Sequence, residues 1–230
     1  MAEIIVALDL PNAGPALELL DRLPDARWVK VGSILMTREG PPLVRTLIGR
    51  GLRVFLDLKW HDIPNTVAGA VAAARDAGVS LATVHTLGGE VMMAAAARAA
   101  DGAMALVGVT VLTSHSAASY GDALGRAVPD LAAEVARLAP TAAQAGLQGV
   151  VCSPHEVALV REVLPEGALV VVPGIRRAGD AAGDQVRVAG AREAALAGAT
   201  HLVVGRPVLQ ATDPAAALRA LQEEAACVSS

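Results

Sequence analysis

Eight short, β-branched apolar runs recur along this chain, and Ala-rich stretches with helical pattern separate them. This alternation constrains the fold more than any other feature. Strands that must pair in parallel need a crossover of a dozen or more residues, usually a helix. The pattern predicts strands at about Ile4–Leu8, Arg27–Val31, Leu52–Leu58, Leu81–His85, Met104–Val111, Gly149–Cys152, Leu169–Val172 and His201–Val204. Helices are expected near Ala13–Arg22, Pro42–Arg50, Thr66–Ala77, Gly89–Ala100, Asp130–Ala145, His155–Val163, Gln185–Ala197 and Pro214–Ala225. The strands are near-continuous apolar runs, as strands covered on both faces must be. Eight such units without a break in composition imply one (β/α)8 barrel domain over residues 1–230. A doubly wound open sheet is the alternative. The first strand, however, runs into ALDLPNAG rather than a Gly-rich dinucleotide fingerprint.

Composition narrows the function classes. The chain is 53% hydrophobic but only 2% aromatic, so Ala, Val and Leu must fill its core. A net charge of -4 leaves no basic footprint for nucleic acid. No apolar run is long enough to span a membrane. The start, MAEIIVALDL, lacks a basic n-region and reads as a strand rather than a signal peptide. Cys152 and Cys227 form neither a disulfide framework nor a metal-ligand cluster. A cytoplasmic location is expected.

Barrel enzymes carry their chemistry at the C-terminal ends of the strands. Here those ends are polar: ALD gives Asp9, WVKVG gives Lys30, FLDLK gives Asp57 and Lys59, TVH gives His85, and VLTS gives Thr113 and Ser114. Strand alternation puts Asp9 with Ala7, Lys30 with Trp28, and Phe55, Asp57 and Lys59 together on one face. Val6, Leu8, Val29, Val31, Val54, Leu56 and Leu58 then face the helices. Asp9, Lys30, Asp57 and Lys59 are therefore expected to point into the barrel mouth. At ~3.3 Å per residue, Asp57 and Lys59 should sit about 6.6 Å apart along the strand. Buried charges are costly unless paired, and alternating ammonium and carboxylate groups is one solution.

The last strand ends VVGRPVLQ, which puts Arg206 and Pro207 at the start of a short helix. A cation there is unfavourable against the helix dipole unless an anion binds, so Arg206 marks a candidate phosphate site, an exposed loop arginine being the alternative. The long loop PGIRRAGDAAGDQ follows the seventh strand, with Arg176 at its base and Gln185 at its far end. Its composition suits a lid. Cys152, Trp28 and Trp60 read as packing residues. His61, His115, His155 and His201 read as surface or packing residues, and His85 as either interior support or part of the site.

The run DLKWHDIPNTV resembles the signature of the bacterial orotidine 5'-phosphate decarboxylases, and ALD, VKVG, TVH, VTVLTS, VCS, PGIR, DQVR and VVGRP follow the same family in order. The resemblance implies a homodimeric (β/α)8 barrel that forms uridine 5'-phosphate and carbon dioxide without a metal or organic cofactor. It implies a Lys-Asp-Lys-Asp array on Lys30, Asp57, Lys59 and Asp62, with Lys59 donating a proton to C6. Asp62, with Thr66 nearby, would enter the partner's site. Asp9 and Lys30 would hold ribose hydroxyls. Thr113 and Ser114 would approach the pyrimidine, Pro173 would pack near it, and Arg176, Gln185, Gly205 and Arg206 would hold phosphate. The chain departs from its relatives after VKVG, where it reads SILMTREGPP. Two rival functions are a magnesium-dependent sugar-phosphate decarboxylase or aldolase of the same superfamily, and a non-catalytic binder of a phosphorylated ligand.

Overall fold

A computed structural model of the chain describes residues 1–176 and 187–226. Eight parallel strands close into a barrel in sequence order. They are β1 (Glu3–Ala7), β2 (Trp28–Gly32), β3 (Arg53–Trp60), β4 (Leu81–His85), β5 (Ala105–Val109), β6 (Gly149–Val151), β7 (Leu169–Val172) and β8 (His201–Val204). The expected strands are thus all present, most of them displaced by a residue or two at the ends.

The two faces of the barrel sort as strand alternation requires. Ile5, Ala7, Trp28, Phe55, Leu81, Val107, Val171 and Val203 form a buried cluster inside the barrel. Val6, Leu8, Val29, Val31, Val54, Leu56, Ala82 and Val84 join the layer between strands and helices. With so few aromatic residues, the interior closes around single large plugs. Trp28 is buried there, meets His201 edge to face, and carries the Arg53 guanidinium 4.3 Å over its ring. Trp60 instead packs half-buried on the helix layer, so both tryptophans are packing residues.

Local sequence explains where the helices begin. Asn12 caps the helix Ala13–Asp21 by accepting from Gly14 N–H, and Asp130 caps Leu131–Gln144 by accepting from Ala132 and Ala133. Such caps satisfy amide groups that have no partner within the helix. Two regions differ from expectation. The chain becomes helical directly after β2, at Ser33, rather than near Pro42; Gly40, at φ 63°, breaks the helix ahead of Pro41 and Pro42. A further helix, Ala117–Leu124, forms where none was expected. It is closed by a capping box between Ser116 and Ser119 and by Gly125 in the left-handed conformation. The expected helix at Gln185–Ala197 is seen over Ala191–Leu196, and Gln185 lies outside the described residues.

β6 and β7 approach too closely for a side chain at Gly149. A Cβ there would collide with the Leu169 carbonyl, which is backbone and cannot step aside. Gly149→Ala is therefore expected to lower Tm by roughly 10 °C, on a cost of about 3 kcal/mol. The control Gly49→Ala, with open space around it, should leave Tm unchanged or slightly raised. Equal melting curves for wild type and Gly149→Ala would contradict the packing.

Candidate active site

A cavity of about 700 Å³ opens at the C-terminal end of the strands. β1, β2 and β3 supply its charged wall: Asp9, Lys30, Asp57 and Lys59 all line it. Thr113, Pro173, Arg176, Gly205 and Arg206 line it from the loops after β5, β7 and β8. These nine expected site residues share one cavity. Three others lie elsewhere. Ser114 is exposed and outside the lining, and Asp62 and Thr66 are exposed beyond the end of β3. Gln185, and the expected lid from Arg177 onward, lie outside the described residues.

The four charges form one alternating row. Lys30 Nζ donates to Asp9 Oδ1 at 2.7 Å and stands 3.8 Å from Asp57 Oδ2. Lys59 Nζ lies 2.8 Å from Asp57 Oδ1 and 2.9 Å from Oδ2. The side chains of Lys30 and Asp57 are 11% and 14% exposed, so both ions have largely left water. Desolvation costs several kcal/mol per ion, and a buried pair often adds nothing to stability relative to an apolar replacement. A network retained at that cost, in the mouth of a barrel, points to chemistry rather than stability.

Lys59 reaches the row in a way that alternation alone does not foresee. Leu56 pairs with Ala82 and Trp60 with Val84, so Asp57, Leu58 and Lys59 of β3 oppose the single residue Thr83 of β4. Lys59 itself adopts φ 53°, the left-handed region that a side chain normally avoids. The expected straight-strand spacing of Asp57 and Lys59 is thus corrected. The strand bulges and brings Nζ back onto the carboxylate. Thr83, which sequence reasoning missed, is fully buried and bonds to both residues. Two residues on from Leu81 of the inner cluster, it shares that residue's inward face.

A second buried network stands behind the cavity. The Glu156 carboxylate accepts from Ser153 N–H and Oγ and from Arg187, which also donates to the Leu112 carbonyl at 3.2 Å. It ties together the segments after β5, β6 and β7. Cys152 lines the cavity but is fully buried. Burial pushes its thiol well above the usual range, which disfavours the thiolate that a nucleophile needs. Arg206 opens the one-turn helix Arg206–Leu209, and Gly205 precedes it. Arg176 is buried beside the cavity and donates to its own Ile175 carbonyl.

With this geometry in place, comparison with known proteins decides the lineage. A family model described as "Orotidine 5'-phosphate decarboxylase / HUMPS family" matches residues 2–221. The chain belongs to the orotidine 5'-phosphate decarboxylase / HUMPS family. An orotidine 5'-phosphate decarboxylase of Alkalilimnicola ehrlichii is 54% identical over 98% of this chain and 97% of its own. One of Halorhodospira halophila is 52% identical over 97% and 95%. The crystal structure of the Lactobacillus acidophilus orotidine 5'-phosphate decarboxylase superposes with a TM-score of 0.88 at 35% identity, covering 98% of this chain and 100% of that one. Among the described residues no group of three or more His, Cys, Asp or Glu could hold a metal ion, and no helix is long and apolar enough to cross a membrane.

His85 ends β4 outside the cavity lining. Its Nδ1 accepts from Leu87 N–H at 3.3 Å, and its ring stacks on His61 with centroids 5.6 Å apart. Burial, then the nearby His61, Lys59 and His115, lowers its pKa from 6.5 to about 4. The folded state therefore holds His85 neutral, while the unfolded chain takes up a proton below pH 6.5. Its contribution to stability is complete above pH 6.5 and is lost as pH falls toward 4. Urea unfolding at stepped pH should show wild type losing stability across that window and His85→Asn losing less. Parallel curves for the two proteins would contradict the burial of a neutral His85.

Proposed function

We propose that this chain decarboxylates orotidine 5'-phosphate to uridine 5'-phosphate and carbon dioxide, the last step of UMP biosynthesis, as a cytoplasmic enzyme without a metal or organic cofactor. The observation that carries this reading is the row Asp9–Lys30–Asp57–Lys59 in a cavity that also holds Arg176 and Arg206. Family membership and the names of relatives above half identity support it.

The chemistry follows from where charge develops. Loss of carbon dioxide from C6 leaves an electron pair in the plane of the ring, where delocalisation is poor. A fixed ammonium beside C6 stabilises that carbanion and then protonates it. Lys59 takes this role, in keeping with electrostatic preorganisation as the main source of acceleration. Asp57, bonded to Lys59 through both oxygens, aims the ammonium and lies beside the departing carboxylate. Lys30 and Asp9 hold ribose hydroxyls. Thr113 approaches the pyrimidine, and Pro173 packs near it. Arg176, Gly205 and Arg206, with Gln185, bind the phosphate, whose remote binding energy is spent on the transition state.

The active unit is a homodimer in which Asp62 and Thr66 complete the partner's site. Their exposure, and their absence from this chain's own cavity, support that arrangement. So do the apolar side chains exposed around them. Ile63 and Val91 are 67% and 72% exposed, and the segments bearing them meet where His61 lies against Gly88.

A magnesium-dependent enediolate reaction fits less well. The two carboxylates that could share a metal, Asp9 and Asp57, already share the Lys30 ammonium, which would repel a divalent cation. The test is decay of orotidine 5'-phosphate absorbance with excess chelator. Wild type should turn over fully, and Lys59→Ala should lose at least about 1,000-fold in kcat while keeping the native circular dichroism spectrum. Arg206→Ala should raise KM for the phosphorylated substrate and leave unphosphorylated orotidine unaffected. Chelator-sensitive activity, or near-normal turnover by Lys59→Ala, would contradict the mechanism.

A further inference from the structure

β3 carries the central ions, yet what fixes their geometry sits one strand away. Between the pairs Leu56–Ala82 and Trp60–Val84, the three residues Asp57, Leu58 and Lys59 face Thr83 alone. Regular parallel pairing cannot satisfy so long a bulge, and the left-handed backbone at Lys59 turns its N–H away from a strand partner. That N–H finds the Thr83 hydroxyl instead, at 2.8 Å. The same hydroxyl donates to Asp57 Oδ1 at 3.1 Å. One oxygen therefore closes the bulge and sets the rotation of the Asp57 carboxylate. With Oδ1 held toward β4, Oδ2 is left toward Lys30, 3.8 Å away.

Thr83 is fully buried and does not line the cavity, so it touches no ligand held there. A valine would satisfy the strand equally well, as Val84 and Val107 do beside it. The hydroxyl is what distinguishes Thr83, and both of its bonds go to members of the ion row. We infer that Thr83 is a positioning residue for the proposed decarboxylation, its hydroxyl fixing the Lys59 bulge and the Asp57 carboxylate so that the Lys59 ammonium is held at the reacting carbon. This inference rests on the function proposed above and adds a residue outside the cavity to its machinery.

The experiment compares wild type with Thr83→Val, Thr83→Ala and Thr83→Ser on orotidine 5'-phosphate, with affinity for uridine 5'-phosphate measured by calorimetry and folding followed by thermal melts. Val keeps the shape and removes the hydroxyl, while Ser keeps the hydroxyl and removes the methyl. Thr83→Val is expected to lose about 100-fold in kcat, the scale on which a misplacement of about 1 Å acts. KM and product affinity should stay at wild-type values, because the phosphate and ribose contacts lie elsewhere. Thr83→Ser should recover most of the lost kcat. If Val does not fold, Ala gives the same comparison without added bulk, and Ser against wild type remains measurable in either case. Wild-type kcat in the Val or Ala variant, or a Ser variant as impaired as Val, overturns the inference. So does a loss carried by KM and product affinity instead of kcat. Failure of wild type itself to decarboxylate the substrate would instead overturn the function proposed above, so the two failures are distinguishable.

Discussion

One ammonium between two carboxylates organises this molecule. Lys30 lies 2.7 Å from Asp9 and 3.8 Å from Asp57, and Asp57 in turn holds Lys59 at 2.8 Å. Each ion is tolerable in the barrel mouth because its neighbour has the opposite sign. Asp57, 14% exposed, is the carboxylate that both ammonium groups share, so removing it would break the row at its centre. The barrel makes the row possible. β1, β2 and β3 are consecutive neighbours in the sheet, and inward positions at their ends fall side by side. Sequence order along the chain thus becomes charge alternation across the cavity.

Such an arrangement needs a rigid frame, and the rest of the structure supplies it. Inside the barrel, Trp28 and Phe55 fill space beneath the ions. Outside, a continuous layer of Val, Leu and Ala fixes the strands against the helices. The Ser153–Glu156–Arg187 network braces the opposite wall, where the segments after β5, β6 and β7 meet. The one locally unfavourable backbone conformation in the row, at Lys59, costs about 1–3 kcal/mol. It is affordable because a well-packed sheet surrounds it on both sides.

Much of this was legible in the sequence, for identifiable reasons. Alternation with period two assigned Val29 and Val31 outward and Lys30 inward, and the two buried clusters divide the same way. The clustering of polar residues at strand ends located the cavity. What escaped was non-periodic. The bulge at Asp57–Lys59 depends on how β4 registers against β3, a tertiary property with no mark in FLDLKW itself. Thr83 looked like any β-branched strand residue, since its hydroxyl gains meaning only opposite that bulge. The start of the helix after β2 was hidden by Gly40, Pro41 and Pro42, which read as the approach to a helix beginning at Pro42 but break a longer helix in the middle. Ser114 was grouped with Thr113 by adjacency, yet only Thr113 lines the cavity.

The most direct measurement is a crystal structure of the protein with uridine 5'-phosphate bound. The charge row should stay intact, with C6 of the pyrimidine about 3.5 Å or less from Lys59 Nζ, at near-attack distance, and the phosphate against Arg206. A nucleotide whose C6 faces away from Lys59, or whose binding pulls Lys30, Asp57 and Lys59 apart toward different places, would contradict the central claim that these ions act together on one carbon.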